Sequence, residues 1–373
     1  MTVPRLQVVG RAERVRGALT DTGGGDALLV SDLTNLRWLT GFTGSNGVGV
    51  VLPDRVVLVT DGRYGEQAER QLADAGCVGD VLVGRTAAQI DDHVAAVTSD
   101  VRTLAAEAAH VSHHRWTQLA ERLPSELVAA VGVVERCRRT KDAAEIARIE
   151  LACSIADEAL AAVAPTLGDG RTEAQIRNEL EIRMRELGAS GPSYETIVAT
   201  GPRHAPLPHH RPTDSPIETG HTVIIDVGAL VDGYHSDMTR SFVVGEPTSL
   251  QREVYDVVLA AQVAGVAAVR PGLATDDLDA VCREGITAAG FGPWFLHGTG
   301  HGVGLLIHED PFVNASGGWV LQEGDVVTVE PGVYRDDFGG VRVEDLVVVT
   351  STGSRTLTRS PKESPCLPSP PTT

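Results

Sequence analysis

Apolar and polar positions alternate in two different ways along the chain. Over the first 138 residues short apolar runs are separated by helical stretches. Residues 27–30 read as a buried strand, 49–52 and 56–60 as a hairpin closed by Pro53-Asp54, 62–75 as a helix and 78–83 as a further strand. Such alternation predicts a small α/β layer domain. From 142 onward the period lengthens: Ile146, Ile149, Cys153 and Leu160 recur on one helical face. Thr172 opens a second helix, its hydroxyl set to cap while Gln175 reaches back, and the pattern runs through Ile176, Leu180 and Met184 to Gly188.

A weak internal repeat follows. Pro165-Thr166-Leu167 before Thr172 resembles Pro271-Gly272-Leu273 before Thr275, which predicts that Thr275 caps a second helix of the same kind. Each helix precedes a strand pair, 223–230 with 234–244 and 326–329 with 341–349. The expected fold is an α/β N-terminal domain, 1–138, followed by a pseudo-twofold α+β domain, 139–359. Residues 360–373 hold five prolines and read as a flexible tail.

Charge narrows the function classes. The 373 residues carry a formal net charge of −18, so nucleic-acid backbones and anionic lipid are repelled. Residues 1–140 hold only −2 of it and 141–373 hold −16, and eight of the twelve histidines fall between His204 and His308. The chemistry is therefore expected in the second part. No apolar run reaches the roughly 18 residues of a membrane span, and Arg11, Arg14 and Arg16 interrupt any signal-peptide core. Five scattered cysteines form no CxxC pair, which agrees with reduced thiols and a cytoplasmic location. The Gly41–Gly47 stretch lacks both the P-loop ending and the GxGxxG spacing, and reads as a turn.

Acids interrupt apolar strands where apolar residues are expected. If Asp232-Gly233 is a two-residue turn, Asp237 faces Gly228 and lies diagonal to Asp226 on one face, roughly 7–8 Å away between backbones. Two carboxylates that close, among Val223, Ile224, Ile225 and Val227, call for a proton or a cation between them. Pairing of Asp226 with Arg240 would explain one acid but not both. Glu330 and Glu344 also sit in or beside apolar runs, and His297, His301 and His308 lie among or just beyond four closely spaced glycines. Two Asp, two Glu and one His form an oxygen-rich set suited to Mn²⁺, Co²⁺, Fe²⁺ or Zn²⁺, and to hydrolysis.

At these residues the sequence resembles the pita-bread metallopeptidases, in the branch of Xaa-Pro aminopeptidase and prolidase. The matching segments are Ile225-Asp226-Val227-Gly228-Ala229, Ser236-Asp237-Met238-Thr239-Arg240, 297–304, Ile307-His308-Glu309-Asp310-Pro311, Val329-Glu330-Pro331-Gly332-Val333-Tyr334 and Val341-Arg342-Val343-Glu344-Asp345. The first domain resembles the family's creatinase-like N-terminal domain through residues 35–45 and 60–64.

The resemblance implies two divalent ions, Mn²⁺ foremost, held by Asp226, Asp237, His301, Glu330 and Glu344. It implies Glu330 as proton shuttle, His209, His297 and His308 as active-site histidines, and Arg342 as an arginine that orients ligands. Substrate contacts are expected from His209, His308 and Tyr334, with His210 the rival to His209 because it stands where many relatives carry glycine. His204, His221 and His235 read as surface or packing residues. The implied substrates are short proline-containing peptides, cleaved before proline. A homodimer is expected, formed through Trp38 or the 41–47 loop. The alternatives are a creatinase-like hydrolase or lyase on the same fold, or a non-catalytic binding protein.

Overall fold

The run Ala27–Val30 is a strand with all four residues buried, because it lies inside a six-stranded sheet. In the computed structural model, which describes residues 3–368, that sheet belongs to a unit spanning Pro4–Arg138. Its strand order is Gly79–Gly84, Val56–Asp61, Gly47–Val51, Ala27–Val30, Thr103–Glu107, Glu126–Ala130. The Gly47–Val51 strand pairs antiparallel with both neighbours and the other pairings are parallel. Helices Ala87–Val97 and His113–Arg122 supply Ile90, Val94 and Leu119 to its core. The helix expected from 62 starts at Gly65, since the Asp61 carboxylate accepts the Arg63 N–H at 2.9 Å and holds the chain in a turn. Trp38 is fully buried beneath the guanidinium groups of Arg11 and Arg14, each 4.9 Å from the ring, and so offers no dimer contact.

The second unit, Arg139 onward, is built as two helix-and-sheet halves. In the first, Asp142 and Glu145 form a capping box on helix Ala143–Val163, and Thr172 and Gln175 form another on Glu173–Glu186. Both helices pack on a sheet ordered Thr239–Val243, Thr222–Asp226, Ile197–Thr200. In the second half, Ser249–Ala268 and Thr275–Ala288 pack on a five-stranded sheet that includes Gly300–Gly302, Val326–Val329 and Asp345–Val349. Ala274, not Thr275, is the N-cap here. Backbone pairing of Ala274 with Val320 holds it extended, which carries Thr275 into the helix with its hydroxyl buried and unbonded.

The Asp232-Gly233 turn has φ of 47° and 74°, the conformation of a type I′ hairpin, and sets Val231 opposite Tyr234 and Asp226 opposite Thr239. The expected 223–230 strand is broken at Val227-Gly228 into Thr222–Asp226 and Ala229–Val231. A Cβ at Gly228 would lie 2.0 Å from the Ser236 carbonyl oxygen, so only glycine lets the two chains approach there.

The proline-rich end is not frayed over 360–368. The Val243 N–H donates to the Pro365 carbonyl at 2.7 Å, the Tyr255 hydroxyl to Lys362 O at 2.8 Å, and Lys362 Nζ bonds Gln262 and Asp345. Residues 369–373 of the expected tail lie outside the described residues. Among the described residues no helix is long and apolar enough to cross a membrane.

Candidate metal centre

Each of the four misplaced acids stands where a strand ends or breaks. Asp226 closes Thr222–Asp226, and Asp237 lies just before Thr239–Val243. Glu330 separates Val326–Val329 from Gly332–Arg335, and Glu344 separates Gly339–Arg342 from Asp345–Val349. The ladder stops at these points, so the side chains converge instead of alternating. One oxygen each of Asp226, Asp237 and Glu344 lie within 4.8 Å of one another. His301 Nε2 lies 3.3 Å from Glu330 Oε1 and 3.5 Å from Asp237 Oδ2. His301 sits between Gly300 and Gly302, where a Cβ would fall 2.1 Å from Thr328 O and 2.4 Å from Asp310 O respectively. Those close approaches are what let the imidazole strand run between its neighbours.

The electrostatics of this cluster fit a cation. Burial, then the charges of Asp226 and Glu330, push the Asp237 carboxyl well above its ordinary value. Glu344 is raised well above its own by burial and by Asp237, Glu330 and Asp226. Its Oε1 is buried with no hydrogen-bond partner among the described residues. Burial is the strongest influence on Glu330 and opposes its charge as well, but the His301 bond together with the charges of His301, His297 and Arg342 outweighs it and brings that carboxyl down to about 2. The same bond raises His301 against its own burial. Four carboxylates, one imidazole and an orphaned buried oxygen match the donor set of a hard or borderline divalent ion.

The cluster floors a cleft of ≈ 450 Å³ whose walls include His209, His297, His308, Ile307 and Phe312. His209 is exposed on the cleft, whereas His210, which also borders it, is buried with its Nε2 engaged 2.9 Å from Glu173. His308 opens to solvent on one side and packs edge-on to His301 at 4.4 Å on the other; this partial desolvation, then the His301 charge, lower its pKa. His297 is held by Gly298 O at 2.7 Å and the Tyr334 hydroxyl at 3.0 Å, and burial lowers its pKa.

Arg342 ties these parts together. Its NH2 donates to Asp226 Oδ2 at 2.7 Å, Nε to Thr239 Oγ1 at 2.9 Å, and NH1 to the Tyr334 hydroxyl at 2.7 Å and Pro208 O at 3.3 Å. Tyr334, expected to bind substrate, is only 3% exposed and lies behind the cleft wall, where its hydroxyl braces His297 and Arg342. Arg240 is not the partner of Asp226; it bonds Asp345, Ser360 O and the Glu344 carbonyl.

Two residues at the centre were not among the expected ones. The Tyr194 hydroxyl donates to Asp226 Oδ1 and lies 2.5 Å from Asp237 Oδ1, touching both aspartates. Thr239 Oγ1 donates to Glu344 Oε2 at 2.7 Å. Thr239 stands in a matching motif and directly opposite Asp226, which could have flagged it; Tyr194 carries no comparable signal in the sequence. A larger cavity of ≈ 770 Å³ in the first unit is walled by Arg63 with Asp61 and Arg115 with Asp91, ion pairs that already satisfy each other.

Comparison with known proteins agrees with this geometry. Residues 11–140 match the Creatinase/Prolidase N-terminal domain. The uncharacterized peptidase YqhT of Bacillus subtilis is 39% identical over 341 residues, 91% of this chain and 95% of that protein. The Xaa-Pro dipeptidase of Pyrococcus furiosus is 44% identical over 231 residues, 62% of this chain and 66% of that one. The solved Xaa-Pro dipeptidase from Bacillus anthracis superposes with a TM-score of 0.92 at 37% identity, covering 97% of this chain and all (100%) of that one. The two-part architecture is thus a creatinase-like N-terminal domain followed by a pita-bread domain. With residues 147–351 matching that family and relatives alike over nearly the whole length, the chain belongs to metallopeptidase family M24.

Proposed function

We propose that this metallopeptidase is an Xaa-Pro dipeptidase, hydrolysing the bond between an N-terminal residue and a C-terminal proline. The observation that carries the reading is the convergence of Asp226, Asp237, His301 and Glu330 on one cleft floor with Glu344 against the two aspartates, its Oε1 lacking a hydrogen-bond partner among the described residues. Family membership implies divalent metal ions, and these five residues would hold two of them, Mn²⁺ foremost. When bound, such ions would polarise a carbonyl and acidify a water molecule.

The protein's own groups supply the remainder. Glu330, kept an anion near neutral pH, accepts the proton of the attacking water and returns it to the proline nitrogen as the bond breaks. His308, edge-on to His301, is placed to donate an N–H to the carbonyl oxygen as charge develops there, with His209 in the same cleft as the second donor. Arg342 and Tyr334 hold Asp226 and His297 in place. A bond before proline has no N–H to recognise, so selectivity falls on the ring. Ile307 and Phe312 give the cleft an apolar wall suited to a pyrrolidine. Names of relatives at 37–44% identity, both Xaa-Pro dipeptidases, support the same substrate class. We infer also a homodimer in the cytoplasm, for which sedimentation and fractionation are the checks.

Hydrolysis of Ala-Pro and Ala-Pro-Ala by metal-reconstituted protein, with Asp237→Ala as control, tests the reading. Cleavage of the dipeptide alone, lost in the variant, is expected. Cleavage of both would make the protein an Xaa-Pro aminopeptidase. Cleavage of neither, with metal bound, would overturn the peptide substrate.

A further inference from the structure

The segment that carries His209 has almost no regular structure of its own. Between the short helix Gly201–His204 and the strand Thr222–Asp226 it crosses the surface as turns and irregular chain. An exposed imidazole on such a segment would wander unless something beneath fixed it.

Glu173 is beneath it. Its carboxylate is fully buried (0% exposed) at the first turn of helix Glu173–Glu186, where the helix dipole favours a negative charge. Oε1 accepts from the Thr200 N–H at 2.8 Å and His204 Nδ1 at 2.9 Å. Oε2 accepts from His210 Nε2 at 2.9 Å, the Thr213 N–H at 3.0 Å and the Thr213 hydroxyl at 2.9 Å. The two imidazoles stack on each other, centroids 4.1 Å apart and planes 17° from parallel. The carboxylate thus grips the chain before, beside and after His209. Its five donors leave none of the roughly four acceptor sites of a carboxylate open, which makes the group a hydrogen-bonded hub and not an ion site.

We propose that Glu173 is a positioning residue for His209, acting through His204 and His210 to hold the histidine-bearing segment against the cleft. The inference rests on the Xaa-Pro peptidase reading, in which His209 faces the substrate carbonyl. His204 and His210 are then parts of one clamp, and the adjacent histidines divide the work: His210 anchors and His209 reaches out.

The test is a double-mutant cycle on the metal-loaded enzyme with Ala-Pro as substrate. Glu173→Gln keeps the shape but turns an acceptor into a donor facing donors. It should lower kcat/KM about 10–100-fold, mostly in kcat, because a small displacement of a positioned group is costly. Combined with His209→Ala it should cost no more than His209→Ala alone, since the clamp then has nothing to position. Costs that multiply would overturn the proposal. The ring signals of ¹³C-labelled histidine in the Zn²⁺-loaded protein give an independent readout. His209 should show one sharp resonance in the wild type and a broadened or doubled one in Glu173→Gln; an unchanged signal overturns the proposal. Should Glu173→Gln fail to fold, His210→Gln, which removes one of five bonds, takes its place in both measurements. Wild-type protein that cleaves no Xaa-Pro substrate would refute the functional reading, while the ring signals would still decide the clamp. A third equivalent of Zn²⁺ lost in His204→Gln would overturn the proposal in favour of an ion site.

Discussion

Helices Glu173–Glu186 and Thr275–Ala288 each carry a buried carboxylate that holds a histidine-bearing segment, and they do so with different donors. Glu173 binds at four residues, two of them histidines. Asp279, 1% exposed and one turn inside the second helix, accepts from the Thr299 N–H at 3.0 Å and hydroxyl at 2.9 Å, and from Arg283 at 2.8 and 3.1 Å. Arg283 then donates to the His297 carbonyl at 2.7 Å. The difference follows from what is held. The second segment runs directly into the strand Gly300–Gly302, which pairs with neighbours on both sides, so its backbone is already fixed. The first has no regular strand until Thr222 and pairs with backbone only from Thr213 onward, through 171–174, so around His209 itself side chains do what a ladder does elsewhere. Where backbone pairing stops near a reactive site, buried polar networks replace it.

The largest break in this comparison comes where the halves meet. Asp237, from the first half, lies against His301 of the second, so Asp237→Asn should abolish both metal retention and hydrolysis. Metal content by mass spectrometry and Ala-Pro turnover measure the two losses together; full activity in the variant would refute the assignment of the centre. Arg342→Lys comes next. Lysine cannot reproduce the fork that serves Asp226, Thr239 and Tyr334 at once, and a loss of about 10–100-fold in activity or metal affinity is expected. Tyr194→Phe belongs to the same range at its lower end, about 10-fold, because it removes one hydroxyl shared by two carboxylates. Titration of bound metal in each variant checks the order.

How much of this the chain displays in sequence depends on how local the cause is. Asp226 could be found because a charge interrupts the apolar run 222–227, and Asp237 followed because the Asp232-Gly233 turn fixes the register by itself. The capping box expected at Thr172 lies within four residues and forms in the structure; the helix expected from Asp142 forms too, with a capping box that was not among the expected ones. Thr275 follows a turn like the one before Thr172 but has Leu278 where Thr172 has Gln175, so no capping box can close, and a bridge to Val320, 46 residues away from Ala274, sets the cap. Glu173 looks like any first-turn acid, because its partners stand 27 to 40 residues away. The 360–368 segment reads as frayed for the same reason: Gln262, which takes Lys362, is 100 residues distant.

Asp279→Asn sharpens the comparison from the other side. It weakens the hold on Thr299 and leaves Arg283 without its charge partner, a cost of about 1–3 kcal/mol in stability. Because strand pairing persists, the kcat penalty should be smaller than that of Glu173→Gln. Urea midpoints and steady-state kinetics on the two variants measure this; a larger kcat loss at Asp279 would reverse the explanation offered for the two halves.

The smallest effect is on acid stability, and its sign is fixed by Glu173. Burial alone would raise that carboxyl, but His210, Thr213, His204 and Thr200 together hold it below its ordinary value of 4.5. A carboxyl lowered in the folded state adds stability that is fully present above the unfolded value and is lost as pH falls through the folded one. The urea-midpoint difference between wild type and Glu173→Gln should therefore be constant from neutral pH down to about 5 and shrink below 4. Metal loss in acid affects both proteins and cancels in the difference. A gap that stays level down to pH 3 would mean that the carboxylate's charge contributes nothing to the clamp, and that its five hydrogen bonds would serve a neutral acceptor equally well.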